Sequence, residues 1–334
     1  MTFRKTIFVI LALSMAMIFI GCQAQQGEVG QKAPIAAAKA DLVIKYEAGQ
    51  TGTYKSVVEF RKDYKFEQPS INKTTEKVTT TVSQITFDQT IEEVDDKGNA
   101  VANITVKVLK YRTHSQQGAQ VDFDSTRDED AQKPLMAVIG ESYKIKLSPA
   151  GKVIKVVNTK KIRNLVKQKE SKQIAKIIFG NENIKKAHSI LAMPDAGKSQ
   201  VAVGDNWSRI KASPKGMLQP KNYEKVYTLE NVARKNGKNI ASIKMEAMPT
   251  SKRPAKADQI DDQGMGIFAK MFAGTDNYKG HLILDLDNAK INSYSEKLVA
   301  TWVAAEPPEE QRTDRGPDVL TMGFTWVHSL EAID

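Results

Sequence analysis

From Asp41 onward the chain alternates apolar and polar residues with a period of two. Leu42, Ile44 and Tyr46 open the pattern, and Tyr54, Val58, Phe60, Tyr64 and Phe66 continue it. Val78, Val82, Ile85 and Phe87 follow, then a stripe of Ala102, Ile104, Val106 and Val108. Tyr143, Ile145 and Leu147 lead to Val153 and the Val156-Val157 pair. Such alternation, rich in Thr, Val and Tyr, predicts half-buried antiparallel strands. Turn residues separate the runs at Asp96-Lys97-Gly98-Asn99 and at Ser148-Pro149-Ala150-Gly151. Strands are predicted again at Tyr223–Leu229, Ile240–Met248, Leu282–Leu286 and Asn292–Trp302. In the last one, Leu320–Leu330, the residues Leu320, Met322, Phe324, Trp326, His328 and Leu330 share a face.

Between Thr159 and Met193 the period changes to that of a helix. Ile162, Leu165, Val166, Ile174, Ile177 and Ile178 form an apolar stripe, with Lys160, Lys161, Arg163, Lys167, Lys169, Lys172 and Lys176 around it. The spacing predicts a basic amphipathic helix that stops at Gly180. A second, short helix starts at Asn181, uses Ile184, Ala187 and Leu191, and ends before Pro194. Thr90–Ile104 resembles Thr228–Ile243, and each stretch is followed by a further strand–turn–strand. The pattern therefore predicts a mostly β protein with some α structure (α+β). Two related antiparallel β-rich halves form bent sheets or a half-barrel, joined by a basic helical segment. The halves span 41–158 and 194–303, with the helices at 159–193, a Pro/Glu-rich loop at 304–319 and a last strand at 320–334.

The first 40 residues belong to neither half. Arg4 and Lys5 precede an apolar run from Ile7 to Ile20, and then Gly21-Cys22. A basic start, a short apolar stretch and a small residue at the cut form a secretion signal, and the run is shorter than the roughly 20 residues of a spanning helix. Phe19-Ile20-Gly21-Cys22 resembles the bacterial lipobox, with Phe19 in place of the usual Leu. The resemblance implies removal of a signal peptide, residues 1–21, and acylation of Cys22. Residues 22–40, rich in Gln, Ala and Gly, then form a flexible tether. Gln23 after the cysteine favours the outer membrane, facing the periplasm, by analogy with enterobacterial sorting. Cys22 is the single cysteine, so no intramolecular disulfide supports the fold.

The 334 residues carry a net charge of +10, unevenly spread. Residues 144–256 hold 26 Lys and Arg against 7 Asp and Glu, a net of +19. Export argues against nucleic acid as the partner of this basic region. An anionic lipid surface or an acidic envelope component fits better.

Motifs of catalysis are sparse. His114, His188, His281 and His328 have no metal-ligand spacing, and His328 is expected in the core. Ala192–Ser199 mimics a phosphate loop but has Ala192 for the first glycine and follows a helical pattern. Asp122, Asp124, Asp128, Glu129 and Asp130 read as a solvated acidic loop. No nucleophile elbow occurs. No catalytic residue, cofactor or metal is expected. Gly264–Gly274 carries Met265, Phe268, Met271 and Phe272, which form a candidate lid over an apolar cavity or a piece of ordinary core. With Ile162, Leu165, Ile177 and Ile178 they are the candidate ligand-facing residues.

Phe123-Asp124-Ser125, Ser148-Pro149-Ala150-Gly151-Lys152-Val153, Val203-Gly204-Asp205-Asn206-Trp207 and Gly280 with Asp285 occur in this order. Together they resemble an uncharacterised family of bacterial envelope lipoproteins over most of residues 41–303. That family supplies no activity to carry over. The architecture is also similar to the periplasmic half-barrel lipoprotein carriers, by fold alone. The expectation is a non-enzymatic, membrane-anchored envelope lipoprotein that binds lipid or another apolar ligand. The alternatives are an assembly protein docking an acidic partner and an envelope hydrolase.

Overall fold

Alternation over 13 to 22 residues makes strands much longer than the usual five or six. Long strands of this kind bury one face and leave the other to water. The computed structural model describes residues 39–116, 120–195, 197–255, 266–307, 310–311 and 314–333, and of residues 266–268 the backbone alone. After the short β1 (Lys39–Asp41) come β2 (Thr51–Gln68), β3 (Lys73–Val94), β4 (Ala100–Ser115), β5 (Val121–Asp124), β6 (Ser142–Leu147) and β7 (Val153–Val157). Three helices follow, α1 (Thr159–Leu165), α2 (Lys169–Ile178) and α3 (Asn181–His188). The chain continues with β8 (Gln200–Ala202), β9 (Asn206–Ala212), β10 (Asn222–Lys235) and β11 (Lys238–Thr250), then β12 (Ala273–Asp285), β13 (Lys290–Ala305) and β14 (Val319–Ala332).

Twelve strands form one open, bent antiparallel sheet in the order β7-β6-β4-β3-β2-β14-β13-β12-β11-β10-β9, with β5 beside β4. β1 and β8 make a separate two-stranded pair. The order holds two five-strand meanders, β2-β3-β4-β6-β7 and β9-β10-β11-β12-β13, with β14 between them. The two look-alike sequence stretches are the second hairpin step of each meander, β3–β4 and β10–β11. At the centre the first and last long strands pair over fourteen positions, from Tyr54 opposite Ala332 to Glu67 opposite Val319.

The buried face is legible from the alternation. Ala100, Ala102 and Ile104 on β4 lie beside Leu147, Ile145 and Tyr143 on β6, and Val106 is buried with them. Tyr223, Tyr227 and Leu229 on β10, Ile243 on β11, and Tyr294, Leu298 and Trp302 on β13 continue the same surface. The helices and the loops around 189–195 and 213–221 cover it, and a single core cluster runs through all of them.

Two expectations change. The basic helical segment is broken into α1 and α2, because Val166 takes an extended backbone and is fully buried. Arg163 Nη1 donates to the Phe179 carbonyl (2.6 Å) and to Thr159 Oγ1 (2.7 Å), which ties the two pieces together. The acidic loop is not wholly solvated. Asp130 is buried, accepting from the Asp124 amide (2.7 Å) and from Arg127 Nη2 (2.5 Å) and pairing with Lys133.

The motifs that carried the family resemblance prove to be turns and close approaches. Gly151 has φ +70, and a Cβ there would meet Ile190 at 3.0 Å. Gly204 has φ +95, and Asp205 closes the same turn by accepting from the Ala202 amide (2.9 Å). Asp285 accepts from the amides of Asp287 (3.1 Å) and Asn288 (3.0 Å) in the β12–β13 turn. A Cβ on Gly280 would lie 2.7 Å from the Ser295 carbonyl oxygen and 2.9 Å from Met245 Cε. Gly280→Ala should therefore lower stability by about 1–3 kcal/mol, as overpacking does, measured by urea unfolding. An unchanged midpoint would show that β13 yields freely there.

Candidate functional site

The concave face of the sheet gathers apolar and polar groups from distant parts of the chain. Over the β2–β7 meander it is filled by the helices. Ile162, Val166, Ile174, Ala175, Ile178, Phe179 and Ile184 are buried there. His188, the last residue of α3, stands at the seat of this plug. Its Nε2 shares a hydrogen bond of 2.7 Å with the Tyr143 hydroxyl, and its ring packs edge-on to Phe87 at 4.6 Å. Burial, first, and the nearby His328, second, hold the His188 imidazole down to a pKa of about 3, so it is neutral at neutral pH. His328 Nε2 donates to the Ala187 carbonyl (3.2 Å) and so ties α3 to β14, in the core as the alternation predicted. Beside the plug a pocket of about 40 Å³ opens between Tyr46, Tyr54, Phe87, Ile91, His188 and Leu330. It has room for a few waters and none for an acyl chain.

The other meander carries a buried polar cluster that the sequence reading missed. Lys225 on β10 and Glu296 on β13 are 3% and 2% exposed and pair at 2.6 Å. Tyr278 on β12 donates to Glu296 Oε2 (2.6 Å), Tyr294 donates to Oε1, and the Lys225 ammonium lies 4.5 Å from the centre of the Tyr278 ring. Burial pulls the Lys225 pKa down, against the raising effect of Glu296. In Glu296 burial pushes the pKa up, but Lys225 and the two phenols outweigh it, so the carboxyl titrates below its ordinary range. The signal was visible: Lys225 stands in phase with Tyr223, Tyr227 and Leu229, and Glu296 with Tyr294 and Leu298. A charge in phase with an apolar stripe has to be buried with a partner.

Of the candidate ligand-facing residues, Ile162 and Ile178 are buried in the plug and Leu165 is half-buried. Ile177 points outward, 45% exposed. Met271 is exposed and Phe272 packs partly against the core. Gln219 Nε2 holds this segment by donating to the carbonyls of Ala269 (2.6 Å) and Phe272 (3.1 Å). Met265, the side chain of Phe268 and Cys22 lie outside the described residues. Of the Ala192–Ser199 stretch, the described residues 192–195 and 197–199 follow α3 without helix or strand. Among the described residues no group of three or more His, Cys, Asp or Glu is placed to hold a metal ion, and no helix is long and apolar enough to cross a membrane.

The fold is thus an open antiparallel half-barrel with helices in its hollow. Residues 97–289 match the model of a family of unknown function, DUF6263, and the chain belongs to that family. No curated protein matches the sequence. Among solved structures the chain is similar to lipovitellin, in a structure described by its lipid–protein interactions. That similarity has 10% identity and a TM-score of 0.42, covering 87% of this chain and 26% of that one. The chain spans about a quarter of the lipovitellin chain. It is also similar to OpdQ of Pseudomonas aeruginosa, with 6% identity, a TM-score of 0.14 and coverage of 84% and 98%. A DUF1329 family protein from Desulfovibrio piger has 8% identity, a TM-score of 0.10 and coverage of 86% and 87%.

Proposed function

We propose that the protein is a non-enzymatic envelope lipoprotein, anchored through Cys22. In this reading it holds an acyl lipid or another apolar ligand against the concave face of its half-barrel, with α1–α3 as a removable plug. The observation that carries this reading is the cover of that face. An apolar sheet surface is closed by helices of 7, 10 and 8 residues. Helices this short have little stability of their own in water and depend on their seat. Elements of that kind come from the low-stability end of a structure and open without global unfolding. In the closed state the adjoining pocket is too small for a ligand, so uptake requires the plug to lift. Lys169, Lys176 and Ile177 on the outer side of α2 are exposed, a composition suited to an anionic bilayer surface.

The described residues from 39 onward form one compact unit, so a chain starting at Gln23 can be purified without the anchor. Solvent extraction followed by mass spectrometry, together with titration of a fluorescent fatty acid, tests the reading. Co-purified lipid or saturable binding supports it; a chain that carries no lipid and leaves the probe's emission unchanged rejects it. Arg163→Ala removes the hydrogen bond that ties α1 to the end of α2, to the Phe179 carbonyl, and a second one within α1, to Thr159 Oγ1. At about 1.5–3 kcal/mol for bonds to a charged group, plug opening should become at least roughly tenfold more frequent. Stopped-flow uptake of the same fatty acid should accelerate accordingly, with little change in the global unfolding midpoint.

A further inference from the structure

The concave face is sealed at one end of the β2–β14 seam and not at the other. Ile85 and Phe87 on β3 are 7% and 1% exposed, and Phe87 packs on His188 of the plug. Farther along, the same face of β2 carries Val58, Phe60, Tyr64 and Phe66, which are only half-buried. Across the seam Phe60, Tyr64 and Phe66 lie opposite Trp326, Met322 and Leu320, half-buried as well. The strip is continuous with the plug, since Tyr54 and Leu330 on the same two strands line the small pocket beside His188. A row of aromatic and aliphatic side chains left partly open at the end of a closed core is a surface for an apolar partner.

Toward β3 the same face turns polar and basic. Lys77 lies opposite Tyr64, Thr79 opposite Lys62 and Thr81 opposite Phe60. The Lys77 ammonium stands 5.9 Å from the centre of the Tyr64 ring, and the Lys62 ammonium lies beside Gly216 of the loop over the second meander. Among the described residues neither lysine has an ion-pair partner. Their surroundings differ in this. On the outer face of β2, Arg61 pairs with Asp63 and Lys65 with Glu67. On the concave face of the other meander, Lys225 pairs with Glu296 and Lys221 with Asp276. Along the strip itself no Asp or Glu stands at a concave position of β2, β3 or β14.

We propose that this strip binds an acyl chain with an anionic headgroup, the head held by Lys62 and Lys77 and the chain lying along the β2–β14 seam toward the plug. Charge complementarity selects the class. Two ammoniums without counter-charge beside an apolar strip attract an anion, and a cationic amphiphile is repelled there. Thr79 and Thr81 add hydroxyl donors on the same side of the strip. From Lys62 to Tyr54 the seam runs eight residues, about 26 Å of strand, so the tail points at the pocket that the plug closes.

The inference rests on the apolar-ligand reading, and the test separates the two. A chain starting at Gln23 is titrated at pH 8 with oleate and with oleyl alcohol, each displacing the neutral dye Nile red. The expected result is a preference of about tenfold for oleate, which shrinks in 1 M salt. The double variant Lys62→Gln with Lys77→Gln should remove the preference while keeping the alcohol's affinity and the melting temperature. Phe66→Asp should weaken both lipids. Equal binding of oleate and alcohol, or a preference that survives the double variant, overturns the inference while the apolar-ligand reading stands. A melting temperature several degrees lower in the double variant also overturns it, because the lysines then belong to the fold. So does a dimer in sedimentation that Phe66→Asp dissociates, since a second copy would then cover the strip. Failure of both lipids to bind overturns the inference together with the reading beneath it.

Discussion

Replacing Glu296 with leucine should lower the unfolding free energy by about 3–5 kcal/mol, which is a large share of the 5–15 kcal/mol that holds a typical domain together. The loss comes less from the missing attraction than from what is left behind. Lys225 is 3% exposed, and without Glu296 its ammonium has no counter-charge, while Tyr278 and Tyr294 lose the acceptor of their hydroxyls. The double variant Lys225→Met with Glu296→Leu should recover most of the stability, because two apolar residues of similar volume avoid the cost of taking two ions out of water. Urea unfolding of the two single variants and the double variant forms the cycle that measures this. If Glu296→Leu alone were neutral, the pair would have to be hydrated in solution.

Acid should loosen the plug before it unfolds the rest of the sheet. His188 titrates near 3 in the folded protein against an ordinary 6.5, so the unfolded chain takes up a proton in a range where the folded one refuses it. Stability from this group is complete above about pH 6.5 and is lost as the pH falls toward 3, at about 1.4 kcal/mol per pH unit. His328 has its pKa lowered chiefly by burial too and adds to the loss in the same direction. Both histidines fasten α3, one to Tyr143 and one through the Ala187 carbonyl, so the proton is expected to act first where the helices are seated. Fatty-acid uptake should therefore quicken between pH 6.5 and 4 in the native chain. His188→Gln keeps an acceptor for the Tyr143 hydroxyl but has nothing to titrate, and should flatten the stability curve over that range. A stability that stays level from pH 7 to 4 in the unsubstituted chain would contradict this account.

Much of this architecture could be read from the alternation of residues, and what escaped it did so for a physical reason. A period of two marks which face of each strand is buried, and β4, β6, β10 and β13 bury the predicted positions. It does not say which strand lies beside which. That β2 pairs with β14, more than two hundred residues away, is decided by tertiary packing alone. The helix break after Leu165 escaped because Val166 lies four residues from Ile162, a helical spacing, although its backbone is extended. Lys225 and Glu296 stood out of character within apolar stripes, yet their partnership across 71 residues was invisible until β10 and β13 were brought to one face. In the Met- and Phe-rich segment composition does not separate the two readings: Met271 is 69% exposed and Phe272 packs partly against the core.

The seam between β2 and β14 also sets an order of events in time. A ribosome delivers β14 after the other strands of the sheet, and until it arrives β2 and β13 each present a row of unanswered amides and carbonyls. Closing the sheet must wait for the fourteen residues of β14, so maturation is slow by topology and the half-finished chain needs shielding from its neighbours.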